Sequence, residues 1–223
     1  MSDLSPLHVC ARLAAAARAV LGVASCYVAR FTRSPWALAA MRRITGIQMR
    51  TAEIGAVAAC FGSASRRRLL VFGLGNDALF WHLLAPRSAV FLEDNAFWLG
   101  RSRRRSSLLR IHPVRYGTTI ERIDSPPRPR HAPLVRPALP PPRHYDVVVV
   151  DAPAGNVPGT PGRGQSLALA ARSVRADGVV FLHDASRPIE HALVDRLFPD
   201  CPLRYVGDLA MIGPPAVAQD RAA

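Results

Sequence analysis

Four short apolar runs recur along the chain, at Leu69–Phe72, Ala89–Leu92, Val147–Val150 and Val179–Leu182. They are continuous rather than alternating, the pattern of strands covered on both faces. Ile54, Val57, Ala58 and Phe61 mark an amphipathic helix within residues 48–61. Further helices are predicted at Asp77–Leu84, Gly164–Val174 and Pro188–Leu197, the last with Ser186 as its cap and Pro188 in its first turn. Strands alternating with helices predict an α/β fold with a doubly wound, mostly parallel sheet. Leu203–Ile212 adds one or two edge strands. Residues 1–45 read as a helical N-terminal extension and residues 46–223 as the main domain.

One stretch interrupts this pattern. From Asp124 to Arg143, eight of twenty residues are Pro and four are Arg. Proline at that density suits neither helix nor ladder, so residues 124–143 read as a surface insertion. Near the N-terminus, Leu13–Ala29 is apolar but carries Arg18, and the unbroken run Ala19–Ala29 is short for a bilayer span. It reads as a surface helix; the alternative is a degraded signal anchor giving weak membrane association.

The 223 residues include 49% hydrophobic types, enough for a sizeable core. The net charge is +13, yet all 29 basic residues are Arg and many cluster at Arg66–Arg68, Arg101–Arg105 and in the Pro-rich stretch. Aromatic residues do not interleave with these runs, which argues against a nucleic-acid groove and for a solvated basic surface or an acidic substrate. Cys10, Cys26, Cys60 and Cys201 are scattered without metal-ligand spacing, so no metal centre is expected.

The chemistry gathers where the apolar runs end. Gly73 and Gly75 follow the first run and permit a tight turn that a ligand can approach closely. Glu93 ends the second run, spaced as a ribose ligand, so the pair points to a nucleotide-type cofactor. Asn76 and Asp77 either cap the following helix or face the ligand. An acid at a helix start disfavours a pyrophosphate and suits a neutral or cationic group. Asp151 follows the four-Val run. Residues 155–163, with Asn156, Gly162 and Arg163, form a shaped Gly/Pro loop in which Arg163 is an anion clamp or a surface charge. His183 and Asp184 leave the fourth run as candidates for acid–base work. The turn and Glu93 alone also admit a nicotinamide dinucleotide and hence an NAD(P)-dependent oxidoreductase.

The strings LLVFGLGNDALFW, VFLEDNAFW, IHPVRYGTT, YDVVVVDAPAGNVPGTPGR and VVFLHDASRPIE together resemble the glucuronoxylan 4-O-methyltransferase family and its irregular-xylem-type relatives in xylan biosynthesis. The resemblance runs from about Gln48 to Ile212. It implies a Rossmann-like, class I S-adenosylmethionine-dependent methyltransferase fold. It also implies methyl transfer to O4 of glucuronic acid on xylan, an acidic polysaccharide acceptor and a Golgi location; a non-catalytic role in xylan synthesis is the alternative within the family. By the same resemblance Gly73, Gly75, Asn76, Asp77 and Glu93 line the S-adenosylmethionine, and Asp151 lies beside the methyl donor. Arg163, Gly162 and Asn156 face the acceptor, with Asp151 or His183 as base and Asp184 orienting the imidazole. The chain departs from the family at Asn76 and Asn95, where His and an acid are usual, and in lacking a clear anchor.

Overall fold

The computed structural model describes residues 6–62, 66–105, 107–122 and 144–213; the Pro/Arg-rich stretch therefore lies outside the described residues. Seven strands form one sheet: β1 (Leu69–Phe72), β2 (Val90–Glu93), β3 (Arg110–Pro113), β4 (Tyr145–Val150), β5 (Val174–Leu182), β6 (Leu203–Val206) and β7 (Leu209–Ile212), in the order β3-β2-β1-β4-β5-β7-β6. The first five run parallel, whereas β7 pairs antiparallel with both β5 and β6. The strand order reverses between β1 and β4, which leaves a crevice at their C-terminal ends.

Alternation along each strand sorts the apolar runs onto two faces. Leu69, Val71, Phe91, Val149 and Phe181 face helices α1 (Pro6–Thr32), α2 (Pro35–Thr45), α3 (Thr51–Ala59) and α4 (Ala78–Leu84). Leu70, Phe72, Val148 and Val150 face α6 (Gly164–Ser173) and α7 (Pro188–Leu197) through Leu167, Ala170, Leu193 and Val194. Both faces are dry, which is why these strands read as unbroken apolar runs.

The four apolar runs are strands, and the tail supplies two more, as expected. Two elements were not foreseen. β3 reads Arg-Ile-His-Pro and lies at the sheet edge, half exposed, so it shows no apolar run. The helix α5 (Ala96–Arg105) hides its period under the arginine cluster, although Trp98 and Leu99 pack on the core. Ser186 is not the cap of α7: Arg187 holds that position through its backbone, and Pro188 sits in the first turn as predicted.

The N-terminal region is helical. Ser34 Oγ accepts the Ala37 N–H at 3.2 Å to start α2, and Gly46 ends it at φ 73°. Among the described side chains, α1 docks by its C-terminal part. Cys26 and Ala29 are buried there, and Arg30 Nε donates to Leu83 O at 2.7 Å. Despite Arg18, the segment Ala14–Thr32 is long and apolar enough to cross a membrane by length and composition, and only 17% of its most apolar window is buried.

The packing makes a testable demand. Phe181 is fully buried at the centre of the sheet, so Phe181→Ala leaves a cavity and lowers unfolding free energy by about 3–5 kcal/mol, read from the urea midpoint.

Candidate active site at the strand ends

Gly73 turns the chain out of β1 at φ 114°, and its N–H donates to Leu92 O at 2.8 Å. A Cβ here would lie 3.0 Å from the Cβ of Ala152, so the glycine serves both the turn and the close approach of the β4 loop. A Cβ on Gly75 would lie 2.6 Å from Asp77 Oδ1. The missing side chain thus makes room for the Asp77 carboxyl to fold over the turn. Burial, reinforced by the charge of Asp151, pushes that carboxyl up to about 6. Asn76 has a scaffold bond, its side-chain amide donating to Gly46 O at 3.1 Å.

Glu93 is buried at the end of β2. Its Oε2 accepts the Leu74 N–H at 2.5 Å and its Oε1 accepts the Asn95 N–H at 2.6 Å. The acid therefore latches the glycine turn to β2. Burial pushes it up to about 7 even though both amides favour the ionised form. Nearby, the Tyr116 hydroxyl is buried with no partner among the described residues, and the charges of Asp94 and Glu93 act on it. It lies in the loop after β3, and the sequence signal for it was present in IHPVRYGTT.

At the ends of β4 and β5, Arg163 gathers the remaining groups. Its side chain is only 4% exposed. Nη1 donates to His183 O, and Nη2 contacts Asp151 O at 3.1 Å, Asp151 Oδ1 at 3.3 Å and Asp184 Oδ2 at 2.7 Å. Asp184 adopts φ 57°, a left-handed geometry that Asp tolerates, and also pairs with Arg187 at 2.8 Å. Burial acts to raise the Asp184 carboxyl, but Arg163, His183 and Arg187 together outweigh it and hold the group below its ordinary value. Arg163 is therefore neither a surface charge nor free to clamp an acceptor, because it is buried and committed to two acids of its own chain.

The imidazole of His183 is oriented by Asp151, not by Asp184 as the sequence suggested. Nδ1 lies 2.8 Å from Asp151 Oδ1 and 3.7 Å from Asp184 Oδ1. On its other side, Nε2 is 3.7 Å from Oε2 of Glu53, a buried acid of α3 that sequence reasoning missed. Glu53 is held by the N–H groups of Arg50 at 2.6 Å and Asp208 at 2.9 Å. Burial would lower the imidazole, yet the Asp151 hydrogen bond and charge outweigh it and raise His183 above its ordinary value. Asp151, with its side chain 35% exposed, is the member of the pair that reaches solvent; His183 is at 14%. The donor atoms of Asp151, His183 and Asp184 lie within 4.8 Å of one another, a spacing a divalent cation can bridge. The Arg163 fork already supplies the positive charge between the two carboxylates.

The loop between β4 and α6 closes the site laterally. Gly162, at φ 68°, donates its N–H to Ala154 O at 3.0 Å. The Thr118 hydroxyl donates to Pro161 O at 3.0 Å, and the Ile120 N–H donates to Thr160 O at 2.9 Å. Asn156 is exposed on this loop. Gly73, Gly75, Asp77, Glu93, Asp151, His183 and Asp184 all sit at the C-terminal edge of the sheet.

A doubly wound sheet with this strand order, a glycine turn after β1 and an acid ending β2 has the class I S-adenosylmethionine-dependent methyltransferase type of fold. Residues 52–128 match the model of the family described as IRX15/IRX15L/GXM, so the resemblance seen in the motifs holds. Arabinogalactan O-methyltransferase 1 of Arabidopsis thaliana is 35% identical over 152 residues, covering 56% of this chain and 53% of that protein. Glucuronoxylan 4-O-methyltransferase 1 of the same plant is 31% identical over 161 residues, covering 62% and 57%. The chain thus spans about half the length of these relatives. A solved TehB-like SAM-dependent methyltransferase from Corynebacterium glutamicum superposes with a TM-score of 0.46 at 14% identity, over 77% of this chain and 92% of its own. The assignment of fold rests on the strand order.

Removing Arg163 leaves two neighbouring acids without their buried counter-charge. Arg163→Met is expected to lower stability by about 3–5 kcal/mol near neutral pH. Because Asp184 is held below its ordinary value of 3.8, its pairing is fully present above that pH and is lost as pH falls through the lowered value. The deficit, followed by urea unfolding across pH, is expected to narrow only below about pH 4.

Proposed function

We propose that this chain is an S-adenosylmethionine-dependent O-methyltransferase whose acceptor is a uronic-acid-containing polysaccharide, with O4 of glucuronic acid on xylan as the acceptor atom. The observation that carries the reading is the convergence of three carboxyl groups, Asp77, Glu93 and Asp151, around the Gly73 turn. Such a cradle opposes a pyrophosphate and suits a cofactor with ammonium and sulfonium charges and ribose hydroxyls, which disfavours the dinucleotide alternative. The methyltransferase names of the relatives support the same choice.

When bound, S-adenosylmethionine supplies an electrophilic methyl group. Glu93 would hold its ribose hydroxyls, and Asp77 and the Gly73–Gly75 turn would hold its amino-acid portion. Asp151, the exposed acid of the pair, takes the acceptor hydroxyl proton as methyl transfer proceeds. His183 donates through Nδ1 to Asp151 Oδ1 and holds that carboxylate in place, with Glu53 behind Nε2. Arg163 pairs with Asp151 and fixes the ends of β4 and β5. The rate would then derive mainly from holding donor and acceptor oxygen in line. The exposed apolar side chains of α1 and α2, Phe31 and Trp36 among them, support weak attachment to a membrane surface.

Two measurements test this. Glu93 must be ionised to accept from both ribose hydroxyls, so affinity for S-adenosylhomocysteine is expected to weaken as pH falls through about 7. Glu93→Gln weakens binding at pH 8 by about 10–100-fold and leaves only the inflection near 6 that belongs to Asp77; equal calorimetric affinities in variant and parent sink the cofactor assignment. Asp151→Asn is expected to abolish transfer of labelled methyl to glucuronoxylan or arabinogalactan. Cofactor binding without transfer to any polysaccharide in the parent protein identifies a non-catalytic member instead.

A further inference from the structure

A second concave site lies at the opposite end of the sheet. A cavity of about 670 Å³ opens among Arg68, Arg87, Ser88, Arg110, His112 and His144, a size that holds a small-molecule-sized ligand. Arg68, Arg87, Ser88, Arg110 and His144 stand at or before the N-terminal ends of β1, β2, β3 and β4, and His112 lies two residues into β3. The strands between this edge and the catalytic edge are four to six residues in β1, β2 and β4, so the two sites are separated by roughly 13–20 Å of sheet.

The charge at this edge is unbalanced. Among the described residues no carboxylate pairs with the side chain of Arg68, Arg87 or Arg110, whereas Arg163, Arg175 and Arg187 all have acid partners. Asp146, the nearby acid, accepts the Arg68 backbone N–H at 2.7 Å and lies 3.4 Å from Arg175. Burial and the Arg68 charge hold His144 below its ordinary value. Its neutral Nδ1 can then accept from Arg68 Nη1 at 3.1 Å and steady that guanidinium. Arg110 Nη1 donates to Arg87 O at 3.3 Å. Arg68, Arg87 and Arg110 precede or open three neighbouring strands, β1, β2 and β3, and line one cavity. Several guanidinium forks on one cavity match a ligand with several carboxylates. The ring of Tyr145, the tyrosine of this lining, is buried and is not offered as a stacking face.

We propose that this cavity is an anchoring site for carboxylate-bearing sugars of the acceptor chain, remote from methyl transfer. The proposal rests on the polysaccharide reading above, and its test separates the two. The full chain is titrated calorimetrically with tetragalacturonate, with xylotetraose and a single-stranded oligonucleotide as comparisons. Tetragalacturonate is expected to bind and xylotetraose not to bind. Arg87→Ser with Arg110→Ser, both exposed positions, weakens tetragalacturonate by about tenfold or more, and Arg87→Lys with Arg110→Lys weakens it less. S-adenosylhomocysteine affinity stays unchanged in both variants, which shows that the fold and the catalytic edge are intact. Absence of tetragalacturonate binding, equal binding by parent and Ser variant, or tighter binding of the oligonucleotide lost in the same variant overturns the proposal. Loss of tetragalacturonate in the Ser variant of a protein that transfers no methyl group overturns the catalytic reading and leaves the anion site standing.

Discussion

The candidate site depends on one buried guanidinium. Arg163 reaches from the start of α6 to the ends of β4 and β5, bonding two backbone carbonyls and two carboxylates. Two acids and a histidine at adjacent strand ends repel or desolvate one another unless a cation sits among them. A delocalised, weakly hydrated guanidinium fills that place better than an ammonium. Its commitment ties Asp151 to Asp184, holds the His183 carbonyl and leaves Asp151 with one side open.

The other half of the crevice is organised by an acid in place of a cation. Glu93 binds the Leu74 amide across the glycine turn and the Asn95 amide beyond β2, so the acid proposed to face the cofactor is also a structural link between two strands. Its raised titration and that of Asp77 reflect burial without a counter-ion. A ligand carrying positive charge relieves that cost, which ties the proposed cofactor to the electrostatics of the strand ends. The protein is thus acidic where it is proposed to do chemistry and basic at the opposite sheet edge, although its overall charge is strongly positive.

Local signals made the scaffold legible. The runs Leu69–Phe72 and Val147–Val150 can only be strands covered on both faces, and they are. β3 was missed because Arg110 and His112 at an exposed edge need not be apolar, and α5 because Arg101 and Arg103–Arg105 mask its helical period. The strand-end position of Gly73, Glu93, Asp151 and His183 was equally legible, since a charged residue after an apolar run can only lie where the sheet stops.

By itself, then, the sequence determined the layered α/β architecture, the glycine turn and the edge at which chemistry collects, because periodicity and chain reversal are properties of neighbouring residues. Only the tertiary structure decided who pairs with whom. Arg163 turned inward to Asp151 and Asp184 rather than outward, Asp151 rather than Asp184 took His183, and Glu53 arrived behind the imidazole from a helix far away in the chain. Those outcomes follow from burial, which favours a partner for a charge in the interior wherever in the chain one is available.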